Sequence, residues 1–371
     1  MLLNIKLLNK MKYVGNRTRT LDLYRFLRKE YRHFNHKKRY KRISNNSIEY
    51  PSRFIFELTK KCNLNCDMCF QKSIKSAREL TLEEIDKVLH NLGPHCRYIY
   101  LIGGEIFLRE DLFDILELLK NKYKKDCFLT TNGTLINDDI TSRLSRYTNI
   151  NGILMSLDGP RNIHNQLRDS EDAFDKTVNA IRLLKDKFRV SVNCILLKEN
   201  IRHLPEVVRI VHESGIYNIQ FLFQVIADKA SMDATKKILD MGEFEIAVKE
   251  KTSNSYGFSY ELFQSKIREA KRLGGRLGVK VIVTPNLPES YLNEYFHNTL
   301  FRHRKTACKA LLHERINFNG DVIHCAYLKM NFGNLLNSSF EEIWNSDKMR
   351  LFRKKSLQNN ILPICKRCLV R

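Results

Sequence analysis

The sequence predicts an α/β protein, with a partial (β/α)6 barrel followed by a small α+β domain. Three observations predict this class. Short apolar runs alternate with amphipathic stretches between residues 51 and 224, polar motifs follow the apolar runs, and seven of the ten cysteines fall into two clusters. Such an alternation implies a parallel sheet with right-handed crossovers. We therefore expect a basic extension at 1–50, a core barrel at 51–290 and, at 291–371, a small domain that carries the second cysteine cluster.

The predicted strands are runs rich in β-branched and aromatic residues, at 53–58, 97–102, 126–130, 151–157, 189–197 and 217–223. Helices are predicted between them, at 81–92, 110–122, 137–146, 171–187 and 204–214. Residues 228–257 are expected to be irregular, before a helix at 259–273 and a strand at 279–283. Further on, Asn319-Gly320 predicts a hairpin turn, and a helix is predicted at 340–351.

The chain is strongly basic, with 64 Lys and Arg against 41 Asp and Glu. Residues 1–50 hold 14 Lys and Arg and 3 Asp and Glu, which gives +11 of the net +23. Apolar residues recur there at helical spacing, so a basic amphipathic helix is expected. It would contact an anionic membrane or another polyanion, or simply pack on the next domain. No apolar run approaches the ~20 residues of a membrane span. We expect a cytoplasmic protein, with peripheral association at the membrane as the alternative.

The first cysteine cluster, Cys62, Cys66 and Cys69, follows the first predicted strand with C-x3-C-x2-C spacing. Iron–sulfur cubanes are held by cysteine thiolates, normally four. Three thiolates would leave one iron open for a small ligand. A zinc knuckle would need a fourth ligand nearby, and a redox dithiol would need only two cysteines. The pattern therefore favours a [4Fe–4S] cluster.

This motif, in such a barrel, resembles the radical S-adenosylmethionine superfamily over about residues 51–225. The later motifs of the family follow in order: a glycine-glycine-glutamate segment after the second strand, a serine and aspartate after the fourth, and then an arginine. Met68 replaces a common aromatic residue. The resemblance implies cofactor contacts by Met68, Gly103, Gly104, Glu105, Ser156, Asp158 and Arg168.

The resemblance also implies a role for each contact. The glycines would let the backbone approach the cofactor, and Glu105 would accept a hydrogen bond from its ammonium group. Ser156 would contact the cofactor, and Arg168 would hold its carboxylate. The open iron would bind S-adenosylmethionine, and one electron would release a 5′-deoxyadenosyl radical that abstracts hydrogen. The expected reductant is a low-potential flavodoxin or ferredoxin.

The second cysteine cluster is Cys308, Cys325, Cys365 and Cys368. With the GNL and EEIW segments, it resembles a shortened SPASM (twitch-like) domain, which implies one auxiliary [4Fe–4S] cluster. A zinc ribbon is the alternative. SPASM members that mature sulfatases have an aspartate directly after the matching cysteine, where this chain has Ala326. His324 is a weak candidate for proton transfer.

The leading expectation is an oxidoreductase or C–H-modifying enzyme acting on a small polar molecule such as a sugar or aminocyclitol. One auxiliary cluster fits dehydrogenation. The alternative is a radical SAM/SPASM enzyme that modifies a ribosomally made peptide. A third hypothesis is a non-catalytic metal-binding protein that holds nucleic acid.

Overall fold

The structure, a computed structural model, describes residues 50–69, 78–250, 256–297, 308–358 and 362–368. The predicted basic helix within residues 1–50 lies outside these ranges. In the described ranges, no helix combines the length and the apolar character that a membrane crossing requires.

An eight-stranded parallel sheet organises the protein. Six strands from the barrel region, β1 to β6, lie side by side in it, and Lys280–Thr284 (β10) and His313–Ile316 (β11) form its two edges, in the order β10-β6-β5-β4-β3-β2-β1-β11. The six predicted barrel strands are confirmed within one or two residues, as β1 Arg53–Thr59, β2 Tyr98–Gly103, β3 Asp126–Thr131, β4 Ile150–Ser156, β5 Val190–Leu196 and β6 Asn218–Phe223. They are adjacent in sequence order, as parallel βα units require.

Helices connect these strands. They are α1 Leu82–Asn91, α2 Leu112–Glu117 with a π-helical turn at Leu118–Lys122, α3 Asp138–Leu144, α4 Arg161–Arg168, α5 Ala173–Leu184 and α6 Leu204–Glu213. The predicted capping box of α1 is present, because Thr81 and Glu84 bond to each other's backbone N–H groups. Helix α4 was not predicted. It begins after Pro160 and ends at Asp169, whose backbone is left-handed (φ 52°).

The region after β6 is more ordered than the sequence suggests. It contains the short strands β7 Ile226–Ala227, β8 Glu245–Ile246 and β9 Lys249–Glu250, with helix α7 at Lys229–Leu239. The expectation of an irregular segment at 228–257 was therefore wrong for α7. Asp228 caps this helix by accepting the Ser231 N–H at 2.7 Å, and Leu239 is buried.

Two further strands extend the sheet, one at each edge. After α8 (Tyr260–Leu277), β10 (Lys280–Thr284) pairs with β6, as the predicted strand at 279–283 suggested. Helix α9 (Glu289–His297) follows, and then β11 (His313–Ile316), which pairs in parallel with β1. The strand that precedes the first cysteine loop is therefore flanked by a strand from the C-terminal part.

The C-terminal part also contains β12 (Leu328–Lys329), α10 (Phe340–Asn345), α11 (Asp347–Gln358) and a 3-10 turn at Pro363–Arg367. The predicted turn at Asn319-Gly320 is confirmed, with Gly320 at φ 86°. The helix predicted at 340–351 is split at Ser346, whose backbone is extended and whose hydroxyl accepts the Met349 N–H.

One face of the sheet is packed against helices and the other is only half-buried. In β5, Val190, Val192 and Cys194 are buried, whereas Ser191 and Asn193 between them are half-buried. The same alternation occurs in β3 and β6. Because successive strand residues point to opposite faces, the half-buried residues share one face. We call this the inner face.

Candidate active site

The first cysteine loop leaves β1 at the carboxyl end of the sheet. Cys66 is buried, whereas Cys62 and Cys69 are exposed. The Cys69 N–H donates to the Cys66 carbonyl at 3.2 Å, and the Leu64 N–H contacts the Cys62 sulfur at 3.5 Å. Burial raises the pKa of both the Cys62 and the Cys66 thiol. The loop thus carries three thiols in one turn-rich segment.

The two glycines at the end of β2, Gly103 and Gly104, are required by this loop. A Cβ on Gly104 would lie 2.2 Å from the Lys61 carbonyl oxygen, and one on Gly103 would lie 2.5 Å from that of Thr59. The Gly104 N–H donates to the Thr59 carbonyl, and the Glu105 N–H to the Lys61 carbonyl, both at 2.8 Å. The close approach predicted from the glycines therefore exists, but it is to the backbone of the cysteine loop.

The Glu105 carboxylate holds the ends of two strands together. It is fully buried and accepts the Asn132 N–H at 2.8 Å, the Phe107 N–H at 3.2 Å and the Thr131 hydroxyl at 2.8 and 2.9 Å. Burial raises the pKa of Glu105, against the effect of these donors. Protein donors therefore surround this carboxylate, and its contact with the ammonium group of a cofactor stays a prediction.

Asp158 and Arg168 form a buried ion pair beside the cysteine loop. The Arg168 Nε donates to Asp158 Oδ2 at 2.8 Å, and its Nη2 contacts the same oxygen. The Arg168 Nη1 reaches the Cys66 sulfur at 3.6 Å. The structure thus places Arg168 beside the cysteine motif, and the fully buried Asp158 positions it. The predicted contact of Arg168 with the cofactor carboxylate stays a prediction.

Ser156 ends β4 on the half-buried inner face, level with Asn193 of β5 and Gln220 of β6. The Asn193 Oδ1 atom is buried and makes no hydrogen bond within the described residues. Met68 is half-buried in the cysteine loop. The predicted contacts Ser156 and Met68 therefore lie at the carboxyl end of the sheet, where polar side chains form a row.

The chemistry of the donors fits an iron–sulfur cluster. Thiolate ligands are stabilised by N–H groups that point at the sulfur, and Cys62 and Cys66 each receive such a group, from Leu64 and Arg168. Within the described ranges, no three Cys, His, Asp or Glu side chains are arranged as a metal-binding group. The assignment of the three cysteines as ligands therefore rests on their spacing in one loop and on these two donors, and it stays a prediction.

The second cysteine set lies in the C-terminal part, and all four members are partly exposed: Cys308, Cys325, Cys365 and Cys368. The Tyr327 N–H contacts the Cys325 sulfur at 3.4 Å. Burial raises the pKa of Tyr327, and the nearby Cys368 and Cys325 raise it further. Cys325 and Cys368 are therefore both near the Tyr327 side chain, although they are 43 positions apart in the chain.

His324 serves packing in this structure. Its ring is 3% exposed, contacts the Phe352 ring at 4.8 Å, and pairs with Glu314 through Nδ1 at 2.8 Å. Its backbone is left-handed (φ 54°), which costs free energy for a residue with a Cβ. In this structure Phe352 and Glu314 enclose the His324 ring, and a role in proton transfer stays a prediction.

Sequence reasoning missed several side chains that shape the cysteine loop. The Asn63 Nδ2 donates to the Thr134 hydroxyl at 2.8 Å, and the Asn63 Oδ1 accepts a bond from the Asn132 Nδ2 at 3.0 Å. The Asn65 Nδ2 donates to Asp169 at 2.9 Å. The two asparagines of the CNLNC segment were a sequence signal for side-chain hydrogen bonds at this loop. Their partners, however, lie about 70 and 104 residues away. The remaining cysteines, Cys96, Cys127 and Cys194, are buried core residues as predicted.

Two family models match this chain. The first, described as the radical SAM superfamily, matches residues 56–211, and the second, described as an iron–sulfur cluster-binding domain (SPASM), matches residues 308–369. The matches include both cysteine clusters and the predicted cofactor contacts from Met68 to Arg168.

Known proteins resemble most of the chain. An AdoMet-dependent heme synthase of Methanosarcina barkeri is 27% identical over 82% of this chain and 84% of its own. A cysteine-type anaerobic sulfatase-maturating enzyme of Clostridium perfringens is 24% identical over 83% of both. The crystal structure of Streptococcus suis SuiB bound to precursor peptide SuiA is 14% identical, covers 90% of this chain and 74% of that one, and gives a TM-score of 0.61. This last likeness shows a common fold.

Proposed function

Because the chain belongs to the radical S-adenosylmethionine superfamily and carries a SPASM iron–sulfur domain, we propose that it modifies a C–H bond of a peptide substrate. A [4Fe–4S] cluster and S-adenosylmethionine supply, when bound, a 5′-deoxyadenosyl radical. Cys62, Cys66 and Cys69 would hold the first cluster, and Cys308, Cys325, Cys365 and Cys368 an auxiliary one. The membership in an enzyme superfamily replaces the hypothesis of a non-catalytic nucleic-acid-binding protein.

The observation that carries the cofactor assignment is the convergence on the cysteine loop. Its backbone is bonded to the Gly104-Glu105 segment after β2, its Asn63 to the turn after β3, and its Cys66 to Arg168 after β4. Active sites of parallel barrels are built from loops at the carboxyl ends of the strands. The loop therefore lies among the segments that would bind a cofactor beside it.

The inner face supports a peptide as substrate. It presents the polar row Ser156, Asn193 and Gln220 and, nearer the amino end of the sheet, the Tyr100 and Phe128 rings, which stack at 4.6 Å. Amide side chains bind peptide backbone groups, and half-buried aromatic rings bind apolar side chains. The names of the sulfatase-maturating relative and of the SuiB complex point to the same class. The sugar or aminocyclitol expectation gains no such support.

The proposal is tested first at the cofactors. Wild-type protein, reconstituted anaerobically, is expected to bind about eight irons per chain, as two cubanes require. With dithionite and S-adenosylmethionine it should release 5′-deoxyadenosine. The Cys66→Ala variant should release none, and the matched Cys96→Ala variant, at a buried core cysteine, should behave as wild type. Wild-type protein that binds iron and never cleaves the cofactor contradicts the proposal.

The substrate class is tested by isotope transfer. Small peptides encoded beside the gene are synthesised with deuterium at their side-chain carbons and mixed with the reduced enzyme and cofactor. Deuterium in 5′-deoxyadenosine from a peptide, and none from deuterated sugars, supports the proposal. A low-potential flavodoxin or ferredoxin should replace dithionite as the electron donor.

A second candidate substrate is a tetrapyrrole. The relative that supports it is the heme synthase, whose 27% identity extends over 82% of this chain. Deuterated iron-containing porphyrins therefore form a third arm of the isotope experiment. Transfer from the porphyrin alone would replace the peptide proposal with this one.

A further inference from the structure

The Arg168 guanidinium connects a carboxylate to a cysteine sulfur. Its Nε and Nη2 bind Asp158 Oδ2, and its Nη1 lies 3.6 Å from the Cys66 sulfur. The Arg168 side chain is only 11% exposed, and that of Asp158 is fully buried. Because charges interact more strongly away from water, this contact acts on the sulfur with little screening.

The protein fixes Asp158 from three sides. Its Oδ1 accepts the Ile195 N–H at 2.8 Å, and its carbonyl accepts a bond from the Asn200 amide at 2.7 Å. Its own N–H donates to His164 Nδ1 at 3.0 Å. Arg168 is therefore held by a carboxylate that has no freedom to turn, and its Nη1 stays directed at Cys66.

The neighbouring segment holds the other partner in place. The Asn65 amide donates to Asp169 at 2.9 Å. Asn65 directly precedes Cys66 and Asp169 directly follows Arg168, so the chain neighbours of the Arg168–Cys66 contact are hydrogen-bonded to each other as well. The cysteine loop is thereby attached to the end of α4 by two adjacent side-chain contacts. Neither contact requires a bound cofactor.

We propose that Arg168 raises the reduction potential of the cluster that Cys66 would bind, by placing a fixed positive charge and an N–H donor on that cysteine's sulfur. This rests on the proposed function, since Cys66 must be a cluster ligand. Reduction adds a negative charge to the cluster, and net charge and hydrogen bonds to sulfur help to set its potential. The ion pair is neutral, but its positive member is the one that touches the sulfur.

The experiment is a redox titration of reconstituted full-length protein in the absence of S-adenosylmethionine. The amount of reduced cluster at each potential is measured from its electron paramagnetic resonance signal. The signal of the first cluster is identified because added S-adenosylmethionine changes it. Arg168→Gln removes the charge and Arg168→Lys retains it. Arg161→Gln is the matched control, because Arg161 lies on the first turn of the same helix and its side chain is 61% exposed.

We expect Arg168→Gln to disfavour the reduced cluster about tenfold, which is about 59 mV for a one-electron couple. Arg168→Lys should recover part of this shift, and Arg161→Gln should match wild type. Equal midpoints for Arg168→Gln and Arg161→Gln, with iron bound in both, overturn the inference while leaving the proposed function standing. Wild-type protein without iron overturns the proposed function itself.

Discussion

The Gly104→Ala substitution tests the contact between the cysteine loop and the segment after β2. The added methyl carbon would lie 2.2 Å from the Lys61 carbonyl oxygen and 2.7 Å from that of Lys60. Ordinary van der Waals contact begins near 3.4 Å, so the two segments must separate by about 1 Å. Both obstructing atoms belong to the backbone, which no change of side-chain rotamer can move.

The magnitude follows from what the separation breaks. Overpacking costs about 1–3 kcal/mol. The hydrogen bonds from the Gly104 N–H to Thr59 and from the Glu105 N–H to Lys61 contribute about 1 kcal/mol each. We expect the free energy of unfolding to fall by about 3–5 kcal/mol, and iron uptake to fall with it, because the displaced loop carries the cysteines.

Urea denaturation of the reduced apoprotein and iron content after anaerobic reconstitution measure these two effects. Gly275→Ala is the matched control. Gly275 lies in α8, is exposed, and has no atom within 4 Å of an added Cβ, so alanine should stabilise the helix by about 1 kcal/mol. A Gly104→Ala protein as stable as Gly275→Ala, with full iron content, would refute the reasoning.

Three further substitutions have defined outcomes. Glu105→Gln should lower the free energy of unfolding by about 2 kcal/mol, because each carboxylate oxygen accepts a backbone N–H and an amide offers only one acceptor. His164→Asn should flatten the pH dependence of stability. Burial lowers the His164 pKa from 6.5 to about 4, so between these pH values the unfolded chain binds a proton that the folded chain does not. The wild-type free energy of unfolding should therefore fall by about 3 kcal/mol as the pH falls from 6.5 to 4. Arg315→Met should cost about 3 kcal/mol, because it leaves the nearly buried Glu57 without its ion-pair partner.

Each of these outcomes has its own check. Glu105→Asp keeps both acceptor oxygens on a shorter side chain, so comparing it with Glu105→Gln separates the loss of an acceptor from the loss of side-chain length. A Glu105→Gln protein as stable as wild type would contradict the hydrogen bonds assigned to the two carboxylate oxygens. For His164, stability is compared at pH 7 and pH 4.5, and an unchanged slope argues against a buried neutral ring. For Arg315, the double variant Glu57→Leu/Arg315→Met should recover most of the loss, since it removes both charges. No recovery would contradict a coupled pair.

The elements that could be predicted from sequence are those with local signals. The strand at 126–130 was expected from its apolar run and ends one residue later, at Thr131. Helix α1 was expected from its capping box. Periodicity and caps depend on neighbours in the chain, so they can be read without the fold. The cysteine motifs belong to the same category.

The relationships that could not be predicted involve residues far apart. The sequence of β11, HERI at His313–Ile316, contains no local signal that this strand pairs with β1. The pairing and register of distant strands depend on the whole fold. Glu105 was expected to face a ligand, and only the structure shows Thr131 and Asn132 around its carboxylate. A fully buried acidic residue and one that contacts a ligand look identical in sequence.

The pairing of β11 with β1 determines the order in which the protein can be completed. The two strands are about 260 residues apart, so among the described residues no strand pairs with β1 on that side until Ile316 has left the ribosome. At about 5–20 residues per second, synthesis of the intervening chain takes roughly 13–52 s. During that interval the strand that leads to the first three cysteines remains an exposed sheet edge.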